Sequence, residues 1–230
     1  MHDFLHSIYR GIEQLVLPES CIGCGKGASA LCVICSEKLS IRPALLGGEE
    51  FRLLASLTYD ELSAKIILAA KEEGSRSARR LISSAIAAAA LVAINDERIN
   101  RSRPIKLLWV PTSNRARRRR GGDFLAPIAF EVAKIINSQS DIQLIPDQLL
   151  RVCRDVVDQS RLSAIDRDRN LHGAFTITQR WRGSDQVILI DDVVTTGSTL
   201  REAVRALRER NLTVIAAATA CASRLRKPIR

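Results

Sequence analysis

An α/β fold, with a mainly parallel sheet flanked by helices and a small cysteine-rich module ahead of it, is what this sequence predicts. Three observations carry that expectation. Short apolar β-forming runs alternate with stretches of helical periodicity from residue 53 onward, the pattern of parallel strands joined by crossover helices. Residues 187–218 hold a complete β-α-β unit whose first strand begins Val-Ile-Leu-Ile, continuously apolar and therefore buried on both faces. The chain is 46% hydrophobic and 26% charged, as a globular core requires, but only 4% aromatic, so Ala, Leu, Ile and Val must build that core.

Residues 3–17 place Phe4, Leu5, Ile8, Ile12, Leu15 and Val16 near helical spacing, and Pro18 ends the run. This amphipathic helix reads as a packing element, since its polar face lacks the basic character of a membrane-surface helix. Asp3, His6, Arg10 and Glu13 make it unlike a secretory signal, which leaves the cytoplasm as the expected location. Residues 39–51, with Pro43 and Gly47-Gly48, read as a linker between an N-terminal unit (1–42) and a main domain (53–225). In the main domain the order is strand 53–59, helix 61–71, Ala-rich helix 77–94, strand 105–110 and helix 124–136 with Pro127 in its first turn. A weak strand at 142–150, a charged helix at 160–171 and a short strand at 174–177 follow. Strand 187–190, helix 200–210 and strand 212–218 complete the series. No apolar run reaches membrane-spanning length; residues 81–94 are short and interrupted by Ser83 and Ser84.

Four of the six cysteines form Cys21-x-x-Cys24 and Cys32-x-x-Cys35, seven residues apart. Two such pairs can set four thiolates tetrahedrally about one Zn²⁺, with Gly23 and Gly25 allowing the first knuckle to turn tightly. Disulfides are the competing account, and a cytoplasmic location argues against them. Four sulfurs leave no open coordination position, so the metal would be structural. Cys153 and Cys221 show no surroundings that suggest a reactive thiol.

The most informative stretch is Ile190-Asp191-Asp192-Val193-Val194-Thr195-Thr196-Gly197-Ser198-Thr199. A buried strand ends in two carboxylates, and a small hydroxyl-and-glycine loop leads into a helix N-terminus. The loop amides and the positive helix end suit a phosphate. Asp191 and Asp192 stand where ribose hydroxyls or a hydrated Mg²⁺ would need acceptors. The bland alternative is a solvated strand end followed by an ordinary capped turn. The order resembles the ribose-phosphate signature of type I phosphoribosyltransferases, while GxxxxGK[ST] and GxGxxG are both absent.

A second segment follows the strand ending at Val110: Thr112, Ser113, Arg115, Arg117, Arg118, Arg119 and Arg120, expected as a loop. Its hydroxyls and guanidinium groups suit pyrophosphate, the leaving group of phosphoribosyl transfer, or a nucleic-acid backbone. A solvated basic loop is the plainer alternative. The net charge of +10 favours polyanionic partners without choosing between them. Scarce aromatics argue against stacking on bases, so a nucleic-acid contact would be mainly to backbone. Gln159, Arg167, Arg169 and Asn170 read as an exposed charged stretch and His172 as a surface residue.

Together these segments resemble the ComF family. The resemblance rests on the double CxxC at 21–35, Tyr59-Asp60 with Lys65 and Lys71, Val110-Pro111 and the arginines, Gln159 through Gly173-Ala174-Phe175, and Asp191–Thr199. It implies a type I phosphoribosyltransferase-like domain behind a zinc ribbon, binding phosphoribosyl pyrophosphate with Mg²⁺. It also implies a role in DNA uptake alongside a DNA helicase, and the alternative to phosphoribosyl transfer is a non-catalytic accessory that binds single-stranded DNA and a helicase through the basic surface. One departure stands out: the family's Arg-Gly-Phe-Asn-Gln is here Arg120-Gly121-Gly122-Asp123-Phe124, so Asp123 occupies the place of an amide.

Overall fold

The computed structural model describes residues 20–27, 30–47, 51–97, 99–154, 170–177 and 185–223. The helix expected at 3–17, nearly all of that at 160–171, and Gln159, Arg167 and Arg169 lie outside the described residues.

In chain order the elements are α1 (Val33–Lys38), β1 (Ala44–Gly47), β2 (Arg52–Thr58), α2 (Glu61–Glu72), α3 (Arg76–Ile94), β3 (Ile105–Trp109), α4 (Asn114–Arg120) and α5 (Leu125–Asn137). They continue with β4 (Leu144–Asp147), β5 (Leu150–Val152), β6 (Phe175–Ile177), β7 (Gln186–Val194), α6 (Ser198–Arg208) and β8 (Thr213–Ala222). Six strands form one sheet in the order β1-β2-β8-β7-β3-β4, with β5 and β6 as a separate antiparallel pair. All neighbours in the large sheet are parallel except β1, which runs antiparallel to β2 at the edge. The expected α/β architecture is therefore the observed one.

Two expectations change. The span read as a linker contains β1, in which Ala44, Leu45 and Gly47 pair with Ala55, Leu54 and Leu53 of β2 and the register shifts at Leu46, an irregularity suited to an edge strand beside Pro43 and the glycines. The weak strand at 142–150 is two strands, β4 in the main sheet and β5 in the small one, broken between Asp147 and Leu150.

The core forms where Ala-rich surfaces meet. α3 lies against β8, β2 and α5, and its Ala78, Ala85, Ala89 and Ala93 are fully buried beside Ala216, Ala217 and Ala218 of β8. Side chains this small let helix and sheet approach closely, which offsets the scarcity of aromatics. At 19 residues α3 is long and apolar enough to cross a bilayer by length and composition, yet much of it is buried within this fold. Ser83 faces that interior and donates to Glu131 of α5. Ser56 Oγ donates to Ala85 O and Thr219 Oγ1 to Leu54 O, so these buried hydroxyls keep partners.

The connections define the site. From β3 the chain passes through α4 and α5 outward to β4; from β7 it passes through α6 in the opposite direction to β8. Right-handed crossovers then place α5 and α6 on opposite faces. A crevice opens where two adjacent parallel strands send their helices apart, at the carboxyl ends of β3 and β7.

Candidate functional site

β3 and β7 pair up to Trp109 and Ile190, and the Val110 amide donates to Ile190 O. Beyond that point β7 continues alone beside β8, with Asp191 opposite Thr219 and Val193 opposite Cys221. The acidic pair thus lies inside β7 rather than at its end, on the stretch that β3 has left. Without β3 to receive it, the Asp192 amide donates to Asp191 Oδ1 at 2.9 Å. Asp192 is buried and Asp191 partly exposed. Crowding by protein atoms, and then the Asp192 charge, push the Asp191 carboxyl well above its usual range, against an opposing pull from Lys71. Asp192 Oδ2 has no well-aligned hydrogen bond but ion-pairs with Lys71 Nζ from the last turn of α2.

The loop after β7 turns at Gly197, whose φ of 77° is left-handed and suits a residue without Cβ. Gly197 is the N-cap of α6 and supplies no capping side chain, so the helix N-terminus keeps its amides toward the loop. Among the described residues no hydrogen bond occupies the Thr199 or Leu200 amide. Thr196 Oγ1 and Ser198 Oγ lie 2.7 Å apart, and Thr195 is exposed. Arg201, one turn into α6, folds back to donate from Nη1 to Thr196 O (2.9 Å) and from Nη2 to Ser198 Oγ (3.3 Å). This clamp was not apparent in the sequence; its signal is an arginine three residues after Ser198.

The opposite wall rises from β3. Thr112 Oγ1 donates to Asp123 Oδ1 at 2.9 Å, and the same carboxylate accepts from Trp109 Nε1, Gln148 Nε2 and the Leu125 amide. Asp123 thereby ties β3, the start of α5 and the β4–β5 turn together. The arginine segment is helical, not a loop. Ser113 caps α4 by accepting from the Ala116 amide, and Gly121 ends it in the left-handed region. Arg119 and Arg120 both bind Glu72 of α2, at 3.0 and 2.9 Å, and the Arg120 contact holds the Glu72 carboxyl below its usual range. Arg115, Arg117 and Arg118 are exposed, with no ion pair among the described residues.

The remaining residues singled out from the sequence fall elsewhere. The carbonyls of Asn170 and His172 accept from Arg154, and the His172 side chain is exposed. Glu202 joins α6 to the small sheet. Burial opposes its ionisation, yet the Arg205 hydrogen bond and the Phe175 amide prevail and keep its carboxyl below the usual range. Burial pushes the Cys221 thiol up to about 12, consistent with an inert core thiol.

The four-cysteine cluster is a metal centre in geometry. The Sγ atoms of Cys21, Cys24, Cys32 and Cys35 all lie within 4.8 Å of one another, and no cysteine is in a disulfide. Thiolates around a tetrahedral Zn²⁺ sit about 3.8 Å apart; Cys24 and Cys32 sulfurs are separated by 3.8 Å. Amides of Cys32 and Cys24 lower the Cys21 thiol to about 6, whereas burial raises Cys35 to about 12. A Cβ at Gly23 would come within 2.7 Å of both Cys35 Sγ and Leu62 of α2, so only glycine fits between cluster and helix. Lys65 of α2 donates to Gly23 O at 3.1 Å. The donor set and the cradle fit a closed four-sulfur ion.

Residues 178–229, which span β7, α6 and β8, match the family model of the phosphoribosyl transferase domain. No curated protein matches the chain. Among solved structures, UMP synthase from Leishmania donovani is similar at 19% identity and a TM-score of 0.33, over 64% of this chain and 23% of that one. A hypoxanthine phosphoribosyltransferase from Staphylococcus aureus is similar at 15% identity and 0.33, over 61% and 62%. An orotate phosphoribosyltransferase from Aeropyrum pernix is similar at 13% identity and 0.33, over 83% and 91%. The chain thus spans less than two thirds of the first two relatives.

Proposed function

We propose that this protein binds phosphoribosyl pyrophosphate together with Mg²⁺ and transfers its ribose 5-phosphate unit to an acceptor still to be identified. The carrying observation is the convergence, at the divergence point of β3 and β7, of a carboxylate pair, an uncapped helix N-terminus and a basic helix. The amides at the start of α6, with Thr195, Thr196, Gly197, Ser198 and Thr199, would hold the 5-phosphate. Asp191 and Asp192 would accept from the ribose hydroxyls. Thr112, Ser113 and the arginines of α4 would hold the diphosphate. In transfer, the C1–O bond to diphosphate breaks, its electron pair leaves with the diphosphate, and the acceptor atom bonds to C1 while its proton passes to solvent. Groups that stabilise the departing anion act directly on the rate. Asp191 and Asp192 would also be the residues to hold a hydrated Mg²⁺, which would supply positive charge against the diphosphate. The cysteine knuckle would hold a structural Zn²⁺ and take no part in the chemistry.

Calorimetry with phosphoribosyl pyrophosphate and Mg²⁺ tests the reading. Wild type should bind, and Asp192→Asn should weaken binding about tenfold or more, as loss of a charge-assisted hydrogen bond does. No heat at millimolar ligand would overturn it.

One observation supports a second role. The outward Arg115, Arg117 and Arg118 are suited to phosphates along single-stranded DNA, the contact that work beside a helicase in DNA uptake would need. DNA binding that is insensitive to salt, or unchanged when these three become alanine, would discard that role.

A further inference from the structure

Two consecutive residues at the end of α2 touch both walls of the crevice, with opposite charges. Lys71 pairs with Asp192 on the acidic wall, lies 5.4 Å above the Phe124 ring, and has a side chain only 26% exposed. Glu72 holds Arg119 and Arg120 on the basic wall. The site is therefore internally neutralised: a cation on the carboxylate meant for sugar hydroxyls, an anion on the guanidinium groups meant for diphosphate. A plain sugar monophosphate can fill the α6 loop but carries no second anion with which to draw Lys71 from Asp192 or the arginines from Glu72. A ligand bearing a diphosphate at the other end of the sugar offers both groups a new partner at once.

Building on the phosphoribosyl reading, we propose that Lys71 and Glu72 are exchangeable counter-charges that select a ligand carrying both a sugar phosphate and a diphosphate over one carrying the sugar phosphate alone. On binding, the Lys71 ammonium moves from Asp192 to the diphosphate and leaves Asp192 to the sugar hydroxyls. Arg119 and Arg120 exchange Glu72 for diphosphate oxygens. The two residues then act in opposite senses. Lys71 adds a cation for the diphosphate and hinders hydroxyl binding in its absence, whereas Glu72 competes with the diphosphate for the arginines.

The experiment measures, by calorimetry on the full chain in excess Mg²⁺, the affinity ratio of phosphoribosyl pyrophosphate to ribose 5-phosphate. Lys71→Met should lower that ratio about tenfold or more, the range for losing a charge-assisted contact. Lys71→Arg should restore most of it. Glu72→Gln should raise the ratio a few-fold, as release of exposed ion pairs allows. A merely structural role would lower affinity for both ligands together and would not give opposite signs. If wild type binds both ligands and Lys71→Met leaves the ratio within twofold, the exchange is wrong and the binding site stands. If Lys71→Met melts before wild type, Glu72→Gln decides: a ratio that falls or stays level overturns the proposal. If wild type binds neither ligand, both readings fall.

Discussion

The two walls of the crevice differ in how they are held. The acidic wall belongs to the fold: Asp191 and Asp192 sit in a strand paired along its length to β8, and the loop beyond them is clamped by Arg201 from an 11-residue helix. The basic wall is a seven-residue helix without a buried residue, held at its side by Glu72 and flanked by Asp123, which holds Thr112 ahead of it. One wall is shaped by burial and backbone pairing, the other by a few polar contacts. A preformed cradle for one end of a ligand therefore faces an adjustable grip for the other.

Removing the support of the basic wall should have the largest effect. Asp123→Ala leaves Trp109 Nε1, Thr112 Oγ1, Gln148 Nε2 and the Leu125 amide without their shared acceptor. We expect a loss of about 2–3 kcal/mol in chemical denaturation; a loss below about 0.5 kcal/mol would mean that the wall stands without it. On the acidic wall the sign reverses. Desolvation by surrounding protein atoms and the Asp192 charge raise the Asp191 carboxyl, so between the ordinary and the raised value the folded chain binds a proton that the unfolded chain has released. Its contribution to stability is complete below the ordinary carboxylate pKa and is lost as pH rises toward the raised value. Asp191→Asn retains an oxygen acceptor for the Asp192 amide and should therefore raise Tm at neutral pH and flatten the decline of Tm above pH 4. An unchanged pH profile would refute the shift. The smallest effect on stability is expected from Arg117→Ala with Arg118→Ala, under about 0.5 kcal/mol. That variant should still reduce the salt dependence of anion binding, measured as affinity against ionic strength.

The same contrast explains what was legible in the sequence. The acidic wall was readable because its parts are contiguous: strand, carboxylates, Gly197 and helix follow one another between 187 and 210. Its one misplacement, the doublet lying within β7, arises because Asp191 and Asp192 interrupt the apolar run after Ile190 while pairing with β8 continues to Val194. The basic wall was readable in composition only. Its helix has cap signals in Ser113 and Gly121, but a run of arginines carries no apolar periodicity from which a helix can be read. Asp123 draws its partners from positions 109, 112, 125 and 148, and Lys71 and Glu72 reach across from a helix before β3. No local pattern marks contacts assembled by topology. The four cysteines were legible by spacing alone, whereas the fit of Gly23 against Leu62 required the packing of α2.

β7 outruns β3 by four residues, Asp191 to Val194, and that overhang has a consequence of its own. A bare margin of sheet exposes main-chain polarity that oily side chains cannot cover without penalty. Here the Asp192 amide turns to the Asp191 carboxylate, so the overhang is finished by polar side chains rather than by an apolar neighbour.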